Sequence, residues 1–177
     1  SYTIREQKSG PDYLLVDGYN IIFAWPELQA VARDSLDAAR KLLLDVLANY
    51  RAFRGDEIIL VFDAYKVKGN PGSLEQVNGV YVAYTKEAQT ADAYIERATY
   101  DLAKEHRVRV ATSDGPEQLI ILGHGALRLS ALQLRQEIEQ ARGQISAILS
   151  ARMDRSSRSH PVKRAMERAR QKKEGEQ

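Results

Sequence analysis

Cysteine is absent from the 177 residues, which rules out disulfides, thiolate metal sites and a cysteine nucleophile. Long apolar runs are missing too. None approaches the roughly 20 residues a membrane-spanning helix needs. Ser1 to Gly10 is polar and mixed and carries no secretory signal, so the expected compartment is the cytoplasm. No GxxxxGK[ST] phosphate loop occurs, and there is no internal repeat. Positive charge is in short supply over most of the chain. Residues 1–150 hold 17 Lys and Arg against 20 Asp and Glu, while residues 151–177 hold 9 against 4. A basic tail on a slightly acidic body fits either a polyanionic partner or a solvated, partly disordered end.

What is present suffices for one packed domain. The sequence is 44% hydrophobic and 28% charged, and its length suits one core better than two. The expected division is a domain over 1–150 and a basic tail, helical or disordered, over 151–177. Asp12-Tyr-Leu-Leu-Val16 ends at Asp17-Gly18 and reads as a buried strand followed by a turn. Asn20 to Trp25 continues as a short helix stopped before Pro26. Asp34 or Ser35 caps a long helix with Leu36, Ala39, Leu43, Val46, Leu47 and Tyr50 at helical spacing, and Gly55 closes it. Glu57–Phe62 reads as a second strand, and 66–79, rich in Gly, Asn, Pro and Lys, as a mobile loop. A third strand is expected over Val80–Tyr84, a helix capped by Thr90 to about Glu105, and a fourth strand over Val108–Thr112. Pro116–Leu122 reads as a short helix, Ala126–Leu129 as a short strand, and Ser130 as the cap of a helix to about Ser150. Strands and helices alternate, which predicts a three-layer α/β/α fold with a central, mainly parallel sheet.

Three of these strands end in an aspartate: Asp17, Asp63 and Asp114. Ligands of an open parallel sheet bind at the carboxyl ends of its strands. Asp92 lies in the first turn of the helix after Tyr84, at the same edge, and Glu96 is one turn further along the same face. Carboxylates gathered in this way repel one another unless a cation neutralises them. A hard divalent ion with oxygen ligands does so, and Mg²⁺ or Mn²⁺ held there suits phosphodiester hydrolysis. Each acid also has a bland reading: Asp63 in an Asx-turn, Asp92 favouring a helix start, Asp114 as a cap. Convergence at one edge favours the metal reading. Nearby, Asn20 can hold a carboxylate or a phosphate, or make only local turn bonds. Thr112 and Ser113 can donate hydroxyl hydrogen bonds to carboxylate or phosphate. Lys66, Lys68 and Lys86 flank the edge and can reach phosphates, while Tyr65, Tyr81 and Tyr84 offer stacking faces or ordinary strand packing.

Five segments in order resemble the NYN domain of YacP-like bacterial proteins, which belong to the PIN-like nuclease group. They are Tyr13-Leu-Leu-Val-Asp-Gly-Tyr-Asn20, Val61-Phe-Asp-Ala64, Thr85-Lys-Glu-Ala-Gln-Thr-Ala-Asp92 with Ile95-Glu96, Ala111-Thr-Ser-Asp114, and Gly123-His-Gly-Ala-Leu-Arg128 followed by Ser130. The match covers about Tyr13 to Glu139. It implies a PIN-like (Rossmannoid) fold and a metal-dependent endoribonuclease using one or two Mg²⁺ or Mn²⁺ ions. It also implies cleavage of mRNA in association with the ribosome. By the resemblance, Asp17, Asp92 and Asp114 match the metal-coordinating acids, Asp63 the acid after the second strand, Glu96 a supporting acid, and Asn20 the motif asparagine. Tyr65 departs from the His of many relatives and suits stacking on a base.

Two other classes stay open at this stage. One is an RNA- or ribosome-binding module without catalysis, against which the four acids argue. The other is a small-molecule phosphohydrolase with Asp17 as nucleophile, but the second Asp expected two residues on is Tyr19. Gly123-His124-Gly125 reads as a helix-ending turn, with His124 structural.

Overall fold

Apolar runs closed by Asp and Gly fold here as strands that share one sheet. The computed structural model describes residues 10–65, 68–113 and 125–159, with 166, 168–172 and 175 of the tail. The strands are β1 Tyr13–Asp17, β2 Glu57–Phe62, β3 Ser73–Val77, β4 Val80–Tyr84, β5 Val108–Ala111 and β6 Leu127–Leu129. The helices are α1 Gly18–Ala24, α2 Pro26–Asp34, α3 Leu36–Arg54, α4 Ala91–Leu102 and α5 Ala131–Ser159. The sheet order is β3-β4-β2-β1-β5-β6. Every pairing is parallel except that of β3 with β4, so the predicted α/β architecture with a mainly parallel sheet stands. Among the described residues, no helix is long and apolar enough to cross a membrane.

The chain divides into two units, residues 1–138 and residues 139–177. Within the first, the strand order dictates where a ligand can sit. From β1 the connections run outward through β2 to β4. Then α4 carries the chain back across to β5, on the other side of β1. The carboxyl end of β1 is therefore the topological switch point, the crevice where open α/β sheets bind ligands. Leu15, Val61, Ala83, Val108 and Val110 line one face of the sheet with Ala91 and Ile95 of α4. Leu14, Val16, Ile58 and Leu60 alternate to the other face, and Ile21, Ile22, Leu43 and Leu47 of α1 and α3 are fully buried.

Local chemistry sets the boundaries. The Ser35 hydroxyl accepts from the Ala38 amide at 3.1 Å and opens α3, and Gly55 in the left-handed region (φ 83°) closes it. Thr90 caps α4 by accepting from the Ala93 amide at 3.1 Å. Ser130 and Gln133 form a reciprocal box, with amide donors bonded at 2.8 and 3.1 Å, ahead of α5.

Two expectations are corrected. Five of the fourteen residues of the expected 66–79 loop, Ser73–Val77, form β3, paired antiparallel with β4 through Asn78-Gly79. Both turn residues have positive φ, 51° and 85°, the conformation of a tight hairpin turn matched to strand twist. The short helix does stop before Pro26, with Trp25 extended, and Pro26 then opens a separate helix, α2, from its first turn, where its missing N–H costs nothing. By contrast, α5 extends past the expected Ser150 to Ser159. The expected Pro116–Leu122 helix and His124 lie outside the described residues.

Gly18 joins the core to the site. A Cβ there would stand 2.4 Å from Phe62 Cε1 and 3.0 Å from the Val61 carbonyl. Phe62 is 1% exposed and cannot move aside. Gly18→Ala is expected to destabilise by about 1–3 kcal/mol, despite the better helix propensity of Ala. Urea unfolding checks this, and an equal or more stable variant refutes the close packing.

Candidate active site

β1 delivers Asp17 to the switch point as its last residue. The residue is only 8% exposed and stands at the N-terminus of α1. Burial raises its pKa from 3.8 to about 6. The charges of Asp92 and Asp63 add to the rise, and the Asn20 backbone amide offsets part of it. Asp92 is exposed in the first turn of α4. A buried carboxylate with two acids in its field is costly to ionise, and a divalent cation would offset that cost.

Asp63 follows β2 and uses both oxygens on backbone. It accepts from the Tyr65 amide at 2.7 Å and from the Ala91 amide at 3.3 Å. The first bond is the Asx-turn that its type favours after a strand. The second ties the end of β2 to the start of α4, beside Asp92. The Ala64 amide donates to the buried Thr85 hydroxyl at 2.8 Å, fastening the same corner. Glu96 sits one turn beyond Asp92 on α4, half-buried.

Asn20 lies in the first turn of α1, three residues after Asp17. Its Oδ1 accepts from the Ser113 amide at 2.6 Å, joining α1 to the segment after β5. The Ser113 carbonyl accepts in turn from Arg128 Nη2 at 2.9 Å. Arg128 was not singled out from sequence as a site residue; its only signal was its place in the Gly123–Arg128 motif. Thr112 is buried, with its amide donating to the Leu129 carbonyl at 3.1 Å. Among the described residues its hydroxyl finds no hydrogen-bond partner. The chain thus brings Asp17, Asp92, Asp63, Asn20, Thr112 and Ser113 to one edge. Asp114 and Lys66 lie outside the described residues. Among the described residues, no three Asp, Glu or His side chains form a group able to hold a metal.

Lys68 and Lys86 are both exposed, on segments stitched together by the Gly69 amide donating to Glu87 Oε2 at 2.8 Å and the Glu87 amide to the Asn70 carbonyl at 2.9 Å. Tyr65 is 45% exposed. Tyr84 is packed, its ring stacked on Phe62 with centroids 5.5 Å apart. Tyr81 is half-buried in β4. A second arginine had no sequence signal at all. Arg40 Nη1 of α3 donates to the Tyr19 hydroxyl at 3.1 Å, and the Tyr19 ring leans on Phe62 at 5.1 Å.

An acid-bearing carboxyl edge at the switch point of a mainly parallel sheet is the layout expected of a PIN-like domain. The model of the YacP-like NYN domain matches residues 14–174, and the chain belongs to that family, which places it among nuclease-type domains. The match runs beyond the Tyr13–Glu139 stretch carrying the recognisable motifs. Over 130 residues the chain is 45% identical to the YacP protein of Bacillus subtilis strain 168, covering 72% of this chain and 75% of that one. The crystal structure of Bacillus subtilis Rae1 (YacP) is 37% identical, with a TM-score of 0.67 over 93% of this chain and 92% of that one. A point mutant of Rae1 (YacP) is 38% identical, with a TM-score of 0.71 over 81% and 84% of the two chains.

Proposed function

We propose that the protein is a metal-dependent endoribonuclease acting on single-stranded RNA, with mRNA as substrate and the ribosome as the setting of cleavage. The observation that carries the reading is Asp17: a carboxylate buried at the switch point and held protonated up to a pH of about 6 by burial and by Asp92. No fold requires that arrangement. It suits a site that is completed by a cation. The YacP-like family supports the RNA substrate, and the resemblance to that branch supports the ribosome.

The oxygen-only donor set fits Mg²⁺ or Mn²⁺, one or two ions, held by Asp17, Asp92 and Asp114 with Glu96 in support. Such an ion supplies charge neutralisation at phosphate and a more acidic water. The chain's own groups do the rest. Asp63 fixes the α4 start that presents Asp92. Asn20 fixes Ser113 beside Asp114 in sequence. Ser113 offers a hydroxyl donor to phosphate, whereas the Thr112 hydroxyl is buried. Lys66, Lys68 and Lys86 meet the RNA backbone, and Tyr65 offers a face to a base. In-line attack by water leaves a 5′-phosphate and a 3′-hydroxyl. The nuclease body is assigned to 1–150, and the basic tail 151–177 adds salt-sensitive attraction for RNA.

The test incubates the purified chain with end-labelled mRNA, with and without translating ribosomes, in Mg²⁺, Mn²⁺ or chelator. Internal cleavage in either metal and none in chelator is the expected result. Cleavage confined to the ribosome-containing reactions supports the ribosomal setting. No metal-dependent product under any condition overturns the reading.

A further inference from the structure

We propose that Phe23 is a nucleobase-stacking side chain, forming an RNA subsite on the α1 flank of the acid edge. The inference rests on the nuclease reading above and adds to it a residue that chooses how the strand lies.

α1 has the sequence Gly-Tyr-Asn-Ile-Ile-Phe-Ala. Ile21 and Ile22 are fully buried, whereas Phe23 is 56% exposed. One wet aromatic ring carries no information by itself; its position does. Phe23 lies four residues after Tyr19 and three after Asn20, so the three share a helix face. Helical side chains lean toward the helix start and cover the turn before their own Cα. The Phe23 ring therefore stands over the turn that leaves Asp17. The same turn carries Asn20, whose carbonyl grips the Ser113 amide at 2.6 Å. Phe23 thus belongs to the helix that leaves Asp17 and that Asn20 ties to Ser113 after β5.

The platform is also rigid. The Tyr19 ring rests on Phe62, and its hydroxyl accepts from Arg40. At the far end of α1, Trp25 Nε1 donates to the Ala131 carbonyl at 2.9 Å. A ring on so fixed an element stacks on a ligand without an ordering cost. On the other side of the edge, Tyr65 is 45% exposed two residues after Asp63. Two wet aromatic faces thus follow β1 and β2, the adjacent parallel strands that lead into Asp17 and Asp63. Every nucleobase has a π-face, so such a pair holds single-stranded RNA regardless of sequence. A single strand crossing the acid edge meets Phe23 on one side and Tyr65 on the other.

The full-length protein is titrated, in chelator, with a fluorescein-labelled single-stranded RNA 12-mer carrying 2-aminopurine at successive positions. Cleavage kinetics are measured in Mg²⁺. Phe23→Ala is expected to weaken binding about tenfold, to lose the 2-aminopurine quench at one position, and to raise KM rather than lower kcat. Phe23→Tyr restores binding, and Phe23→Leu behaves as the alanine variant. The melting temperature stays that of the wild type, because the ring is half-exposed. Leu132→Ala, which removes another exposed side chain (63%), leaves RNA binding intact. Wild-type binding by Phe23→Ala overturns the proposal. So does full rescue by Phe23→Leu, or an equal loss in Leu132→Ala; either result means that an apolar protein-docking patch has been perturbed. If the wild type cuts RNA and Phe23→Ala matches it, this inference fails alone. A wild type that neither binds nor cuts RNA overturns the nuclease reading as well.

Discussion

Asp17→Asn is expected to abolish the proposed RNA cleavage, by roughly 10³-fold or more, while leaving a folded protein that is more heat-stable than the wild type in chelator. The loss corresponds to about 4 kcal/mol of transition-state stabilisation, the size expected when a cation's anchoring ligand is removed. The gain in stability follows from the same carboxylate. Its folded pKa, about 6, lies above the ordinary 3.8, first because of burial and then because of Asp92. A group shifted this way stabilises the fold fully below pH 4 and withdraws that support as pH rises through 6. With each pKa unit equal to 1.36 kcal/mol, the ionised form costs about 3 kcal/mol at pH 7 when no cation is bound. Asparagine keeps the shape without the charge. Thermal melts in chelator at pH 5 and pH 7 are expected to differ in the wild type and much less in the variant. Mg²⁺ is expected to raise the melting temperature of the wild type only. Undiminished cleavage by a folded Asp17→Asn protein removes Asp17 from the active site. An unchanged response to Mg²⁺ removes it from the metal site.

The elements that were legible in the sequence are those whose boundaries are fixed by neighbours in the chain. β2 and β4 fold over the expected residues because each is an apolar run closed by a polar residue, and Ser35, Gly55 and Thr90 act as caps within one turn of the helices they bound. β3 was hidden because four of its five residues are exposed, so it has no apolar face and holds to β4 by backbone pairing. Asn78-Gly79 was the available signal, and it was absorbed into a composition-based loop. The shared edge of Asp17, Asp63 and Asp92 was legible because strand ends meet at one edge in a parallel sheet. What holds them was not. Asn20 and Ser113 are 93 residues apart, and no local pattern announces such a bond. Arg109 looks like an interruption in the apolar strand Val108–Ala111, and its meaning comes only from three other elements.

Arg109→Met is expected to destabilise the protein by about 3 kcal/mol, the largest stability loss expected of a single change outside the apolar core. Arg109 Nη1 donates to both oxygens of Glu137 on α5 at 3.0 and 2.9 Å, and Nη2 donates to Asp56 Oδ2 before β2 at 3.1 Å. The Tyr50 hydroxyl of α3 donates to Glu137 at 2.8 Å, closing the ring. Arg109 and Asp56 are only 16% and 9% exposed, so removal of the cation leaves Asp56 with the looser pairing of Arg54 at 3.7 Å and Glu137 with the Tyr50 hydroxyl. Burial works against Glu137's charge, but hydrogen bonds from Arg109 and Tyr50 outweigh it and hold its pKa below the usual carboxylate value. A depressed pKa means the stabilisation is present at neutral pH and lost as pH falls through that lowered value. In an Asp17→Asn background, which removes the opposite Asp17 titration, the protein is therefore expected to weaken in acid, and adding Arg109→Met to reduce that dependence, since Glu137 loses the Arg109 hydrogen bonds that favour its charged form. Arg109→Lys should rescue poorly, because one ammonium cannot serve Glu137 and Asp56 with the fork geometry of a guanidinium. Urea unfolding at pH 7 and pH 4 measures both effects, and the Arg109→Met, Glu137→Met double-mutant cycle isolates the pair. A loss below 1 kcal/mol at pH 7 refutes the cluster as a clamp. The functional consequence follows from position: β5 runs directly into Thr112 and Ser113, so the cluster that anchors Arg109 also fixes the strand carrying that side of the acid edge.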